Sequence, residues 1–300
     1  MKNFKLGLLF FLITACVSAG HLSAQTPAKP LPFPQSTTAV LDVRDIRTLK
    51  LNSKLMGREM PYRVILPRDY DNTNETISYP VIYLLHGLGG HFDNWTDKTG
   101  LAQYTAGFRR IIVTVEGGDG WYTDSVSVPN DKYESYIINE LIPEIDKKFH
   151  TKTSRENRAI AGLSMGGYGA IKFGLKYPDK FVLVGSFSGA LNVTDLPAAS
   201  TQFLSVKNVF GGDGSQGRKD NDIFKILREM PAEKLTGLPF LYIACGTEDF
   251  LFAGNQDFMK LMTEKKVKHE YRQLPGAHTW SFWDGQIQEF LRLSDRFLKK

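Results

Sequence analysis

The stretch Arg158-Ala-Ile-Ala-Gly-Leu-Ser-Met-Gly-Gly167 decides the fold. A short apolar run, the pattern of a strand, enters Gly162-x-Ser164-x-Gly166 and is followed by a helix-compatible segment. A serine at such a corner sits on a strained turn that lifts its hydroxyl clear of the backbone. Side chains in place of the flanking glycines would collide with the neighbouring strand and helix. Ser164 is therefore a candidate nucleophile.

A nucleophilic serine needs a base, and the base needs an orienting carboxylate. One chain order for such triads runs serine, acid, histidine. Two histidines follow Ser164. His269 lies in the alternating stretch Val267-Lys-His-Glu-Tyr-Arg-Gln273 and is expected to face solvent from a strand. His278 lies in the Pro/Gly loop Leu274-Pro-Gly-Ala-His-Thr-Trp280, which can carry an imidazole over a sheet edge, so it is the better base. Between serine and histidine, Leu238-Pro-Phe-Leu-Tyr-Ile-Ala-Cys245 has the continuous apolar look of a buried parallel strand. It ends in Gly246-Thr-Glu-Asp249, just where an open α/β sheet carries its site. By position both Glu248 and Asp249 qualify as the acid.

A fourth element stabilises charge that develops only in the transition state. Pro80-Val-Ile-Tyr-Leu-Leu85 runs as a strand into His86-Gly-Leu-Gly-Gly90, a turn whose backbone amides can approach a reacting carbonyl. The expected oxyanion donors are the amides of Leu88 and of Met165, the residue after the nucleophile. His86 reads as a support for this turn.

These elements occur within a longer set of ordered motifs: Tyr83-Leu-Leu-His-Gly87, Asn94-Trp95, Gly120-Trp-Tyr-Thr-Asp124, Glu140-Leu-Ile-Pro-Glu-Ile145, Ala161-Gly-Leu-Ser-Met-Gly-Gly-Tyr-Gly169, Ser186-Phe-Ser-Gly-Ala-Leu191, Cys245-Gly-Thr-Glu-Asp249 and Gly276-Ala-His-Thr-Trp280. Across about residues 45–298 the chain resembles the esterase D branch of the α/β hydrolases. That branch includes S-formylglutathione hydrolases, feruloyl and acetyl-xylan esterases of carbohydrate esterase family 1, tributyrin-type esterases and mycolyltransferases. The resemblance implies an α/β-hydrolase fold, a mostly parallel central sheet with helices on both faces. It also implies a Ser164–His278–Asp249 triad, with Asp249 as the acid, and ester hydrolysis through an acyl-enzyme.

Composition agrees with one catalytic domain. The chain has 300 residues, 42% hydrophobic and 23% charged, enough for a large core. Of the formal charge of +5, Lys2 and Lys5 contribute two, leaving about +3, too little to argue for nucleic acid. No transmembrane span, repeat or phosphate loop appears in the body of the chain.

Residues 1–24 read as a signal peptide: a basic start, an apolar stretch over 6–17 that is short for a bilayer, and Ser18-Ala-Gly-His-Leu-Ser-Ala24 before a cleavage at Gln25. Alternatively Ile13-Thr-Ala-Cys16 resembles a lipoprotein box, with Cys16 as lipid anchor. Residues 25–39 carry Pro27, Pro30, Pro32 and Pro34 and read as a linker; the catalytic domain is expected over 40–300. After cleavage Cys245 is the only cysteine left, so no internal disulfide is expected.

Coarsely, strands at 47–52 and 62–66 open the domain and strands then alternate with helices, including helices over 133–149 with a kink or break at Pro143, 168–177, 255–266 and 282–299. Between the strands near Phe181 and Phe240 lie roughly fifty residues without strong periodicity. Trp95, Trp121 and Tyr122 follow the turns that leave two strands and are candidate substrate contacts, with loop packing as the alternative. His86 and His91 lack a third ligand at metal spacing, so no metal or cofactor is expected. The leader argues against cytoplasmic S-formylglutathione hydrolysis and leaves short-chain or carbohydrate-linked acetyl or feruloyl esters as substrates. The alternative is an acyltransferase that passes the acyl group to a sugar alcohol.

Overall fold

The structure, a computed structural model, describes residues 46–74, 76–199 and 204–299. The expected leader, linker and Cys16 lie outside these residues. Eight strands form one sheet: β1 (Ile46–Ser53), β2 (Arg58–Ile65), β3 (Val81–Leu85), β4 (Ile111–Val115), β5 (Arg158–Leu163), β6 (Leu183–Phe187), β7 (Phe240–Gly246) and β8 (His269–Leu274). Their order is β1-β2-β4-β3-β5-β6-β7-β8. Only the β1–β2 and β2–β4 pairings are antiparallel; the remaining five are parallel.

Helices supply the crossovers. After β3 come α1 (Asn94–Asp97) and α2 (Leu101–Thr105), and after β4 come α3 (Tyr133–Tyr136) and α4 (Ile142–Lys148). α5 (Met165–Lys176) follows β5, while α6 (Leu204–Phe210), α7 (Gln216–Asn221), α8 (Ile223–Glu229) and α9 (Ala232–Leu235) follow β6. α10 (Phe252–Glu264) and α11 (Trp280–Ser294) follow β7 and β8.

The sequence of each central strand explains its place. VIYLL of β3 and IIVTV of β4 are buried at every position, because both faces of a parallel sheet are covered. Successive side chains alternate faces. Val81, Tyr83 and Leu85 join Met165, Ala170, Ile171 and Phe173 of α5 in one core, while Ile82 and Leu84 join Trp95, Ile287 and Phe290 in the other. The edges differ. β1 alternates between half-buried and exposed residues, and β8 carries a Glu270–Arg272 ion pair; charge at an edge discourages pairing with another chain.

The opening strands match the two expected near residues 47–52 and 62–66. Other elements depart from expectation for identifiable reasons. The helix expected over 133–149 runs without a break from Tyr133 to Lys148, but its middle turn, Ile137–Leu141, is π-helical, and Pro143 follows directly after it. No helix end precedes Pro143, so it lacks an amide that a continuous α-helix would use, and the π-helical turn directly before it carries the helix past the proline without ending it. The π turn aims Glu140 at the β1–β2 connection, where its carboxylate accepts the Ser53 hydroxyl and the amides of Lys54 (3.0 Å) and Leu55 (3.2 Å). The described residues of the nonperiodic stretch after β6 include four α-helices of seven residues or fewer, too short to print a helical period.

One buried ion pair fastens the helix layer to the loop after β4. Lys172 of α5 meets Glu134 of α3 at 2.8 Å and donates to the Tyr122 carbonyl at 2.8 Å and to the Thr123 hydroxyl. Burial draws the Lys172 ammonium down to about 8, against the opposing pull of Glu134. Burial also pushes the Glu134 carboxyl up, but the charges of Lys172 and Lys176 outweigh it and hold the group at about 2. Its folded value thus lies below its ordinary value of 4.5: the stability it contributes is complete above that pH and is lost as pH falls toward 2. Glu134→Ala strands a buried ammonium and is expected to destabilise the fold by about 3–5 kcal/mol at pH 7. The deficit should shrink above pH 8, where Lys172 loses its proton anyway. Urea unfolding at the two pH values checks this; a loss under 1 kcal/mol at pH 7, or a deficit that grows with pH, contradicts it.

Candidate active site

The parallel register brings the loops that leave β3, β5, β7 and β8 to one edge: Leu85 lies opposite Gly162, Leu163 opposite Phe187, and Gly246 opposite Leu274. Sites of open α/β sheets form at this edge. A cleft of about 550 Å³, lined by Tyr79, Pro80, Phe108 and Arg110, lies instead beside the amino ends of β3 and β4 and borders none of the residues below.

Ser164 stands between β5 and α5 with φ 53° and ψ −117°, a region that side chains avoid. Three backbone bonds hold it there: its amide donates to the Phe187 carbonyl (2.9 Å), and its carbonyl accepts from Tyr168 (3.1 Å) and Ala190 (3.0 Å). The turn is tight enough to require its glycines. A Cβ on Gly162 would lie 2.4 Å from the Gly166 carbonyl carbon, and one on Gly166 would lie 2.5 Å from the Leu85 carbonyl oxygen. Elbow, β3 and β5 are packed backbone to backbone.

His278 Nε2 lies 3.0 Å from Ser164 Oγ, and its Nδ1 lies 2.9 and 3.1 Å from the Asp249 carboxylate oxygens. A proton on Nδ1 donated to Asp249 leaves Nε2 free to accept from the serine. Asp249 is buried and also accepts the Leu251 amide at 2.9 Å. Burial pushes its carboxyl up, but the hydrogen bonds from His278 and the Leu251 amide prevail and hold it below the usual range, so it stays ionised. Trp283, itself buried, meets the imidazole edge-on with centroids 4.8 Å apart.

The two carboxylates that position alone left equivalent separate in space. Glu248 accepts the Gly276 amide through its side chain, and its own amide donates to the Gly276 carbonyl at 3.0 Å. It clamps the acid turn to the histidine loop, while Asp249 faces the imidazole. His269 sits on β8, half-buried, with Nδ1 2.8 Å from the Val267 carbonyl. Cys245 is buried; burial and then the Asp249 charge push its thiol up to about 12, which keeps it protonated.

The turn after β3 lies against Ser164: a Cβ on Gly87 would stand 3.3 Å from Ser164 Cβ. His86 is fully buried, with Nε2 accepting the Gly117 amide (2.9 Å) and Nδ1 donating to the Gly87 carbonyl (2.7 Å), which ties the loop after β4 to this turn. Gly89, at φ 69°, donates to Asp119 at 2.8 Å. Among the described residues the Leu88 amide meets no acceptor, and Met165 opens α5, where helix amides have no intrahelical partner.

The expected substrate contacts require correction. Trp95, Trp121 and Tyr122 are buried, at 0%, 2% and 0% exposure, and present no face to a ligand. The Trp95 indole donates to the Leu85 carbonyl (3.0 Å), and the Trp121 indole donates to Ser205 (2.9 Å) while packing on Tyr168 and Phe210. The Tyr122 hydroxyl donates to the His86 carbonyl at 2.9 Å and so braces the turn before Leu88. Glycines beside an aromatic pair look alike whether the rings turn in or out. Phe250, which sequence reasoning did not single out, has an exposed ring 4.7 Å from the imidazole; its only signal is that it follows Asp249.

The esterase family model, described as "Putative esterase", matches residues 53–293. An acetyl esterase of Caldicellulosiruptor saccharolyticus is 28% identical over 254 residues, covering 81% of this chain and 95% of its own. Among solved structures, the substrate-bound fluorophosphonate-binding serine hydrolase F of Staphylococcus aureus superposes with a TM-score of 0.74 at 26% identity, covering 83% of this chain and 97% of its own. A ferulic acid esterase superposes at 0.73 with 28% identity, covering 84% and 98%.

Proposed function

The chain belongs to the esterase family, and from that premise we propose the residues and the substrates of this enzyme. The observation that carries the reading is the hydrogen-bonded row Ser164–His278–Asp249 at the carboxyl edge of the sheet. Ser164 Oγ attacks the ester carbonyl and gives its proton to His278 Nε2, while ionised Asp249 stabilises the imidazolium. The carbonyl oxygen takes up the negative charge beside the amides of Leu88 and Met165. Collapse breaks the bond to the alcohol, which leaves with the proton from His278. Water then gives a proton to the same nitrogen, attacks the acyl carbon, and releases the acid; the proton returns to Ser164 Oγ.

The substrates we assign are short-chain acyl esters and acetyl or feruloyl groups on carbohydrate. Names of the relatives support both classes, and the chain's leader-like start fits export toward such polymers. The amino-terminal residue of the exported protein tests the last point, with Gln25 expected. No described helix is long and apolar enough to cross a membrane. Kinetics on p-nitrophenyl acetate, butyrate and octanoate and on methyl ferulate test the substrate reading. Turnover of acetate, butyrate or ferulate should exceed that of octanoate by at least about tenfold, a difference near 1.4 kcal/mol. Octanoate as the best substrate contradicts it.

A further inference from the structure

Phe250 is 70% exposed, which for a phenyl ring leaves apolar area in water unless something covers it. Its place is fixed. It follows Asp249 in a turn closed by Asp249 N–H to the Gly246 carbonyl (3.2 Å), Leu251 N–H to the Asp249 carboxylate (2.9 Å) and Phe252 N–H to the Asp249 carbonyl (2.9 Å). The ring lies 4.7 Å from the His278 imidazole, tilted by 50°. The imidazole thus has a buried indole, Trp283, and an exposed phenyl, Phe250, beside it.

Resting on the serine-esterase reading, we propose that Phe250 selects the alcohol half of the ester and is a platform for a sugar ring. The direction follows from proton transfer. His278 Nε2 must come within hydrogen-bond reach of the leaving oxygen, so the alcohol lies against the imidazole from the solvent side. Phe250 is the exposed apolar neighbour there. The carbonyl oxygen points to the Leu88 and Met165 amides, which carries the acyl group elsewhere. A phenyl face is electron-rich and attracts the polarised C–H face of a pyranose or furanose, whereas a methyl alcohol is too small to cover it. Phe250 takes no part in bond making.

The test uses pairs of esters that share an acyl group and differ in alcohol: methyl acetate against an acetylated methyl xyloside, and methyl ferulate against feruloyl arabinose. In Phe250→Ala, kcat/KM for the sugar ester should fall roughly tenfold, the scale of one lost aromatic contact plus its buried area. The methyl ester should change by less than about twofold, within the scatter of a contact it does not make. Phe250→Trp should restore the sugar ester. Deacylation, read as the slow phase after a burst, should be unchanged, because the alcohol has gone by then. An equal fall on both members of a pair, a slower deacylation or no change on any ester overturns the proposal. Failure of the underlying reading looks different: Ser164→Ala would match wild type, whatever stands at position 250.

Discussion

Ser164→Ala lowers kcat on p-nitrophenyl acetate by about 10⁴–10⁶-fold, the range seen when a triad nucleophile is removed. The expectation follows from the site. His278 Nε2 has its hydrogen-bond partner in Ser164 Oγ at 3.0 Å, and the imidazole has nothing to activate once that oxygen is gone. The turn that carries position 164 is held by backbone bonds that alanine keeps, so melting temperature should stay close to wild type. Residual turnover of about 10³ over water is expected from binding and the Leu88 and Met165 amides. Near-normal kcat in the variant would remove Ser164 from the mechanism.

Gly162→Ala destabilises the protein by more than about 3 kcal/mol or prevents folding, because overpacking against backbone has no side chain to move aside. The added Cβ would lie 2.4 Å from both the carbonyl carbon and oxygen of Gly166, inside the turn that joins β5 to α5. Gly285 provides the contrast. It lies in α11, a Cβ there meets nothing within 4 Å, and Gly285→Ala should stabilise by about 0.5–1 kcal/mol through helix propensity alone. Urea midpoints of the two variants check both signs. A Gly162→Ala protein as stable as wild type would mean that the elbow is looser than its geometry.

The same two positions show what was legible in the sequence. Gly162 and Ser164 stand in a local pattern, and a strained strand-to-helix turn has few residue solutions, so the elbow could be read directly. β3 is equally plain, since a run such as Val-Ile-Tyr-Leu-Leu has few fates other than a covered parallel strand. Ser164 and His278, 114 residues apart, could be paired because each follows a strand, and the parallel register aligns the strand ends. What stayed hidden depends on direction rather than on type. The residue type of Lys172 does not announce burial, which is made tolerable by partners from distant segments, Glu134 and the Tyr122 carbonyl among them. Trp121 and Tyr122 turn inward at positive φ, which neither residue type announces. The π turn at Ile137–Leu141, which carries the helix past Pro143 without a break, leaves the apolar period nearly intact and so has no signature in the sequence.

The most direct measurement of the central claim is the intact mass of the protein after reaction with a fluorophosphonate ester, followed by peptide mapping. The structure's account is a single adduct on Ser164, absent from Ser164→Ala and formed far more slowly in His278→Ala. An adduct on another residue, or equal labelling of Ser164→Ala, would contradict it.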